Sequence, residues 1–173
     1  MKVGIYPGTF DPITKGHIDI ILRSFVMVDN LIIAIAKDVL KKPLLSLEDR
    51  ADMIKKEIEN LGDNIPKGKT VTVEGFSGLL VNFARKKNAS LIIRGLRAVS
   101  DFEYELQLAT ANSKIAKDIE TIFLPATDNT HFISSTIIKE IGRLGGDVSS
   151  FVSPYTKSKL IEHFQNAEGD QHT

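Results

Sequence analysis

The chain alternates between short, fully apolar runs and longer stretches in which apolar residues recur at helical spacing. Runs such as 31–36 are typical of parallel strands covered on both faces, because every side chain of such a strand is buried. Apolar positions three or four residues apart predict amphipathic helices between the runs. Strands are predicted at residues 2–7, 31–36, 70–74, 91–93 and 119–124.

Capping signals place the predicted helices. Ser46 precedes an acidic first turn and predicts the start of one helix. Ser100 and Glu103 form a capping-box pattern, which predicts a helix to about residue 117. Pro154 suits the first position of the last helix. Other helices are predicted after Gly16, at 78–87, and after Ser134 or Ser135.

This alternation predicts an α/β protein. The five strands indicate a Rossmann-like, doubly wound five-stranded parallel sheet with helices on both faces and a C-terminal helix appended. The chain has 173 residues and neither a repeat nor an interdomain linker, so residues 1–165 are predicted to form a single domain. The polar tail at 166–173 is expected to be disordered.

Composition narrows the possible functions. The formal net charge is zero, so a nucleic-acid partner is not expected. The chain has no cysteine, which excludes disulfides, thiolate catalysis and cysteine zinc sites. No apolar run reaches the roughly 18 residues of a membrane span, and the N-terminus lacks a signal-peptide pattern. We therefore expect no membrane partner and a cytoplasmic location.

The loop after the first strand, residues 6–17, is rich in proline and glycine. Gly8 permits close approach of a ligand to the backbone, and Gly16 allows a helix N-terminus to lie beside it. Helix N-termini bind phosphate through free N–H groups and the helix dipole. His17 in the first turn would donate to a phosphate oxygen. The alternative is a rigid turn with a solvent-facing histidine.

Cationic residues follow two other strands. Arg94 and Arg97 come after the fourth strand, where a guanidinium can bind phosphate in two-pronged geometry. The alternative is a surface network with carboxylates of the next helix, namely Asp101, Glu103 or Glu105. Lys41 and Lys42 follow the second strand and offer two movable cations, unless they are simply solvated.

Hydroxyl groups follow the fifth strand, in residues 127–136, and suit phosphate binding at a helix start or a plain N-cap. All four loops would meet at the carboxyl edge of the sheet. The sequence lacks the glycine-rich dinucleotide and P-loop motifs, a paired-carboxylate arrangement, a Ser-His-Asp order and a metal-ligand cluster. This pattern favours phosphoryl or nucleotidyl transfer in which the substrate supplies the attacking oxygen.

Two motifs resemble nucleotidyltransferase signatures. Residues 14–17 (Thr-Lys-Gly-His) resemble Thr/His-x-Gly-His, and residues 133–139 (Ile-Ser-Ser-Thr-Ile-Ile-Lys) resemble the second signature. Residues 8–12, with 94–97 and 101–105, resemble the phosphopantetheine adenylyltransferase family in particular. The resemblance covers 1–165. It implies adenylyl transfer from ATP to 4′-phosphopantetheine in coenzyme A biosynthesis, by in-line attack without a covalent enzyme intermediate, giving dephospho-coenzyme A and pyrophosphate.

The resemblance also implies roles for individual residues. The catalytic groups would be His17, Lys41, Arg94 and Ser135. Phosphopantetheine would contact Thr9, Lys41, Leu80 and Arg94. ATP would contact Thr9, Phe10, His17, Gly95, Leu96, Arg97, Glu105, Thr130, His131, Phe132, Ile133, Ser134, Ser135 and Thr136. Mg²⁺ would be carried with ATP, because the sequence shows no acidic cage for it.

The family further implies a homohexamer of two stacked trimers and makes feedback by coenzyme A plausible. The helix at 101–117 has apolar residues around more of its surface than one buried face requires. It would pack either against another subunit or entirely within its own domain. Departures from the family pattern are Lys15, the pair Thr130-His131, where an aromatic residue is usual, and a longer loop at 62–69.

Two other functions stay open. The first is a sister adenylyl- or cytidylyltransferase acting on nicotinate mononucleotide, FMN or glycerol 3-phosphate. The second is a non-catalytic nucleotide sensor that kept the fold. His17, Arg94 and Ser135 argue against a sensor, because a sensor does not need groups that stabilise charge on the α-phosphate.

Overall fold

The computed structural model describes residues 1–38, 42–97, 99–127 and 134–169. The strands are β1 (Val3–Gly8), β2 (Asn30–Ala36), β3 (Thr70–Phe76), β4 (Leu91–Leu96) and β5 (Glu120–Pro125). The helices are α1 (Lys15–Ser24), α2 (Leu47–Leu61), α3 (Leu80–Lys86), α4 (Val99–Ile115), α5 (Ser135–Arg143) and α6 (Pro154–Gly169). A short 3₁₀ turn at Gly62–Asn64 follows α2.

All five strands are parallel, in the order β3-β2-β1-β4-β5. The chain builds outward from β1 through β2 to β3, then crosses to the other side of β1 to form β4 and β5. The strand order therefore reverses between β1 and β4, which is where parallel sheets of this kind bind ligands. The predicted doubly wound, five-stranded parallel sheet is confirmed.

The apolar run in β2 is buried from both sides of the sheet. Leu31, Ile33 and Ile35 belong to the larger core cluster, whereas Ile32 and Ala34 belong to the smaller one. Successive side chains of a strand point to opposite faces, so only a run without polar positions can serve two cores. The sequence prediction for β2 is correct for this reason.

Helix starts follow the predicted capping chemistry at two places. Ser46 Oγ accepts a hydrogen bond from Asp49 N at 3.0 Å, at the start of α2. Ser153 Oγ accepts one from Thr156 N at 3.1 Å, and Pro154 occupies the first position of α6. Each contact satisfies a backbone N–H that has no partner within its own helix.

Three predicted boundaries need correction. β4 continues past Ile93, because the hydrogen-bonding ladder with β5 extends through Arg94 to Leu96 although the apolar run has ended. α4 begins at Val99, so Ser100 lies inside the helix and is not its cap. α6 runs to Gly169, since no proline or glycine interrupts it earlier, and residues 166–169 of the predicted tail are therefore helical.

The apolar surface of α4 is not buried within its own domain. Phe102, Leu106, Leu108 and Ile115 are all exposed, as is Tyr104. The alternative that α4 is simply well buried is therefore wrong for these side chains. Among the described helices, none is long and apolar enough to cross a membrane.

Candidate active site at the carboxyl edge of the sheet

A cleft of about 750 Å³ opens at the carboxyl edge of the sheet. Its walls come from the loop after β1, the segment after β2, the end of β4, the first turns of α1 and α5 and the second turn of α4. Because both the β1 loop and the end of β4 line it, the cleft lies at the reversal of strand order. The strand topology thus accounts for its position.

Most of the predicted site residues meet in this cleft. Those that line it are Thr9, Phe10, His17, Arg94, Gly95, Leu96, Arg97, Glu105, Ser134, Ser135 and Thr136. Leu80 is not among the lining residues and packs, partly buried, against the smaller core cluster. Lys41, Thr130, His131, Phe132 and Ile133 lie outside the described residues. The roles assigned to all of the predicted site residues, in the cleft or outside it, remain predictions.

His17 is held by a capping box at the start of α1. The Thr14 backbone N–H donates to His17 Nδ1 at 3.0 Å, and Thr14 Oγ1 accepts from His17 N at 3.4 Å. A backbone N–H can only donate, so Nδ1 is the acceptor and a neutral ring carries its proton on Nε2. In the usual capping box a glutamate or glutamine reaches back from this position. Here the imidazole takes that role and keeps a second nitrogen available.

The surroundings keep His17 neutral. Burial, together with smaller contributions from the nearby cations Arg97 and Arg94, lowers the pKa of His17 to about 3. Charging the ring would place a third positive charge in a poorly solvated position. The imidazole is therefore a neutral Nε2–H donor at physiological pH, suited to an oxygen on which negative charge develops.

Phe10 adopts a left-handed backbone conformation, with φ of 50°. Such a conformation is strained for a bulky residue and persists only where packing enforces it. The Phe10 ring is buried and packs edge-on against Tyr6 and His17, with centroid distances of 5.4 and 5.0 Å. A Cβ on Gly8 would lie 3.0 Å from this ring, so Gly8 makes room for Phe10 as well as for any ligand.

Arg94 and Glu105 form an ion pair inside the cleft. Arg94 Nε donates to Glu105 Oε2 at 2.6 Å, and Nη2 donates to Oε1. Nη1 donates to the Pro7 carbonyl at 2.8 Å, which ties β4 to β1. The alternative to phosphate binding, in which an arginine pairs with a carboxylate of α4, is thus found for Arg94 and Glu105. The pair is only 25% and 12% exposed, however, and lines the cleft instead of the outer surface.

Two buried charges in and beside the cleft, Asp11 and Arg50, were not predicted as site residues from the sequence. The Asp11 carboxylate accepts hydrogen bonds from the backbone N–H groups of Leu44 and Leu45 and pairs with Lys139 of α5. Arg50 of α2 is 3% exposed and donates to backbone carbonyls. Asp11 and Lys139 stand 128 residues apart, so only the fold brings them together.

The cleft has a small excess of positive charge although the whole chain is neutral. Its described lining includes four cations and three carboxylates, namely Lys42, Arg94, Arg97, Lys139, Asp11, Asp38 and Glu105. The first turn of α5 also lines it, and the Ser135 hydroxyl donates to the Pro12 carbonyl at 2.9 Å. Cations together with a helix N-terminus suit an anionic ligand such as a phosphate chain.

Comparison with known proteins agrees with this architecture. A family model described as cytidylyltransferase-like matches residues 5–141. The structure of Plasmodium falciparum nicotinic acid mononucleotide adenylyltransferase complexed with NaAD aligns with a TM-score of 0.69 and 17% identity, over 96% of this chain and 95% of that one. At this identity the alignment shows the fold alone. Fold and family model together define a nucleotidyltransferase of the cytidylyltransferase-like class.

Sequence relatives are more specific. The phosphopantetheine adenylyltransferase of Wolbachia pipientis subsp. Culex pipiens is 54% identical over 160 residues, which make up 92% of this chain and 92% of the relative. That of Rhodospirillum centenum is 49% identical over 163 residues, or 94% of this chain and 87% of the relative. Within the nucleotidyltransferases, this chain belongs to the phosphopantetheine adenylyltransferase family.

Proposed function

We propose that this protein transfers the AMP part of ATP to the phosphate of 4′-phosphopantetheine, giving dephospho-coenzyme A and pyrophosphate. The observation that carries the proposal is the neutral Nε2–H of His17, held in a cationic cleft at the reversal of strand order. The relatives named above are phosphopantetheine adenylyltransferases, which makes 4′-phosphopantetheine the expected acceptor.

In the proposed reaction, an oxygen of the acceptor phosphate attacks the α-phosphorus of ATP in line with the departing pyrophosphate. The new bond joins that oxygen to phosphorus as the bond to the β-phosphate oxygen breaks. A phosphate is ionised at neutral pH, so no general base is needed. The main tasks are to align two anions and to stabilise the charge that develops between them.

His17 donates its Nε2 proton as a hydrogen bond to an α-phosphate oxygen, and this bond strengthens as the transition state forms. Arg94 faces the acceptor phosphate with the two of its five N–H groups that Glu105 and Pro7 do not use. The first turn of α5, with Ser135, holds the outer phosphates of ATP. Lys41 is proposed to assist Arg94, and Glu105 to contact ATP.

The residues in the described part of the chain do not form a cage for Mg²⁺. No group of three metal-binding side chains occurs there, and Asp11 and Glu105 are each paired with a cation. Mg²⁺ prefers to keep several waters and to bind substrate phosphates. We therefore propose that Mg²⁺ arrives with the triphosphate.

A pyrophosphate-release assay tests the proposed reaction. The protein is incubated with ATP, Mg²⁺ and, separately, 4′-phosphopantetheine, nicotinate mononucleotide, FMN or glycerol 3-phosphate. We expect release with 4′-phosphopantetheine alone, together with dephospho-coenzyme A detected by mass. Release with another acceptor would assign a sister activity, and ATP binding without release would assign a nucleotide sensor.

The exposed apolar side of α4 supports an assembly, which we propose to be the hexamer of two stacked trimers expected for the family. Coenzyme A shares its pantetheine phosphate with the acceptor. We therefore propose that coenzyme A competes at the acceptor side of the cleft. A cytoplasmic location also stays a prediction.

A further inference from the structure

Asp11 is a buried carboxylate that joins three parts of the chain. It lies in the loop after β1 and is 4% exposed. Its Oδ1 accepts from Leu45 N at 3.0 Å and its Oδ2 accepts from Leu44 N at 2.9 Å. Oδ2 also pairs with the ammonium of Lys139 on α5. Both oxygens are thus engaged by the protein itself.

The two backbone contacts fix the segment that connects β2 to α2. Leu44 and Leu45 follow Lys42 and Pro43, and both of these line the cleft. Proline fixes its own φ, so little backbone freedom separates Lys42 from the anchored N–H groups. Hydrogen bonds to an ionised carboxylate are about twice as strong as those between neutral groups. The place of Lys42 in the cleft therefore depends on Asp11.

Arg50 anchors the other end of the same connection. Its Nη1 donates to the carbonyl of Ala36, the last residue of β2, at 3.2 Å, and to the Thr9 carbonyl at 2.8 Å. Both ends of the β2–α2 connection are therefore tied to the loop after β1, one through Arg50 and the other through Asp11. The same loop leads directly into α1, whose first turn carries His17. The acceptor side of the cleft and the proposed α-phosphate donor are therefore supported by the same loop.

We propose that Asp11 is a positioning residue for the acceptor half of the cleft, acting through Leu44 and Leu45 on Lys42. The inference rests on the proposed function, which assigns this side of the cleft to the acceptor phosphate. Asp11 acts on the cleft through these contacts, because both of its oxygens are engaged by the protein itself. Its pairing with Lys139 also reduces the positive charge beside the first turn of α5, on the ATP side.

The substitution Asp11→Asn tests the proposal kinetically. Asparagine keeps one acceptor oxygen but replaces the other with an NH₂ group, which cannot accept from a backbone N–H. We expect KM for 4′-phosphopantetheine to rise by about tenfold or more, because small displacements of aligning groups are costly. KM for ATP should stay the same or fall, since Lys139 loses its carboxylate partner. A purely structural role would lower the thermal midpoint without this selective rise in KM for 4′-phosphopantetheine.

Asp29→Asn is the matched control. Asp29 also accepts from a backbone N–H, that of Lys2 at 2.7 Å, and also pairs with a lysine, Lys69 at 2.8 Å. It lies directly before β2, at the amino edge of the sheet and away from the cleft. Asp29→Asn should lower stability and leave both KM values unchanged. Equal changes in KM for Asp11→Asn and Asp29→Asn would overturn the proposal.

Hydrogen exchange followed by NMR gives a test that needs no activity. The amides of Leu44 and Leu45 should exchange slowly in the unsubstituted protein and in Asp29→Asn, and faster in Asp11→Asn. Fast exchange of both amides in the unsubstituted protein would overturn the proposal even if Asp11→Asn does not fold. An unsubstituted protein without activity would count against the proposed function, and the exchange rates would still decide the role of Asp11.

Discussion

Arg94 and Glu105 meet edge to edge in the cleft, so the carboxylate occupies the Nε–Nη2 edge of the guanidinium, one of the edges that can bind a phosphate in two-pronged geometry. The carboxylate also fixes the plane of the guanidinium and hence the direction of its remaining N–H groups. An ammonium cannot reproduce three contacts in one plane. Arg94 and Glu105 therefore act as one unit.

This relationship predicts that Arg94→Lys and Glu105→Gln are not additive. Each substitution should lower kcat/KM for 4′-phosphopantetheine, and the double variant should lose less than the two losses combined. We expect a coupling free energy of about 1 kcal/mol or more, as is usual for residues in contact. Steady-state kinetics on the four proteins gives this value.

Arg85 and Asp118 provide the control pair. They also form a two-pronged contact, with distances of 3.1 and 2.6 Å, but are exposed and do not line the cleft. Arg85→Lys should leave kcat/KM unchanged. Additive losses for Arg94→Lys and Glu105→Gln would contradict the idea of a functional unit.

Loss of the His17 donor should affect turnover more than binding. His17→Ala should lower kcat by about 100-fold or more with little change in ATP affinity, because the bond is strongest in the transition state. Single-turnover kinetics and calorimetry measure the two quantities. His163→Ala, on α6 and outside the cleft, should behave like the unsubstituted protein. Near-normal turnover in His17→Ala would remove His17 from the mechanism.

The depressed pKa of His17 predicts a particular dependence of stability on pH. The folded protein holds His17 neutral down to a pKa of about 3, whereas the unfolded chain takes up a proton near the ordinary value of 6.5. Proton uptake by the unfolded chain alone favours unfolding, so this contribution to stability is full above pH 6.5 and is lost as the pH falls toward 3.

Urea unfolding at pH 7 and pH 5 measures this contribution. The free energy of unfolding should fall between these values by about 1 to 2 kcal/mol more in the unsubstituted protein than in His17→Gln. NMR of the ring nitrogens should show the Nε2–H form throughout this range. An imidazole that titrates between pH 5 and 8 would show that the ring is better solvated than its surroundings imply.

Local patterns in the sequence were enough to predict the sheet. The apolar run 31–36 and the cap Ser46 report interactions within a few residues, so strand and helix types could be inferred from neighbours alone. The end of β4 could not be predicted from neighbouring residues. Residues 94–96 belong to the strand because they pair with β5, not because of their own composition.

The site residues that could be predicted are those that lie together in short sequence motifs. His17 and Ser135 stand beside glycine-rich or hydroxyl-rich turns, and the family signatures include both. The contacts of Asp11, Arg50 and Lys139 include partners 14 to 128 residues away in the sequence. Arg50 also follows two acidic residues at a helix start, which is typical of an exposed position, although the fold buries it.

The apolar side of α4 predicts that the protein assembles. Leu106 is 45% exposed and Phe102 is 43% exposed, on a helix whose first turns also line the cleft. Contact with another subunit would bury these side chains, at about 25 cal/mol for each Å² of apolar surface removed from water. Light scattering on a sizing column should give a mass of three or six 19.1 kDa chains.

Charged substitutions test whether the apolar side of α4, and not any exposed apolar residue, forms the subunit contact. Leu106→Glu should shift the mass toward one chain, because a carboxylate within an apolar contact is poorly solvated and without a partner. Val26 is 90% exposed just beyond the end of α1, so Val26→Glu should leave the mass unchanged. A single-chain mass for the unsubstituted protein at micromolar concentration would refute the assembly. An unchanged mass in Leu106→Glu would place the interface on another surface.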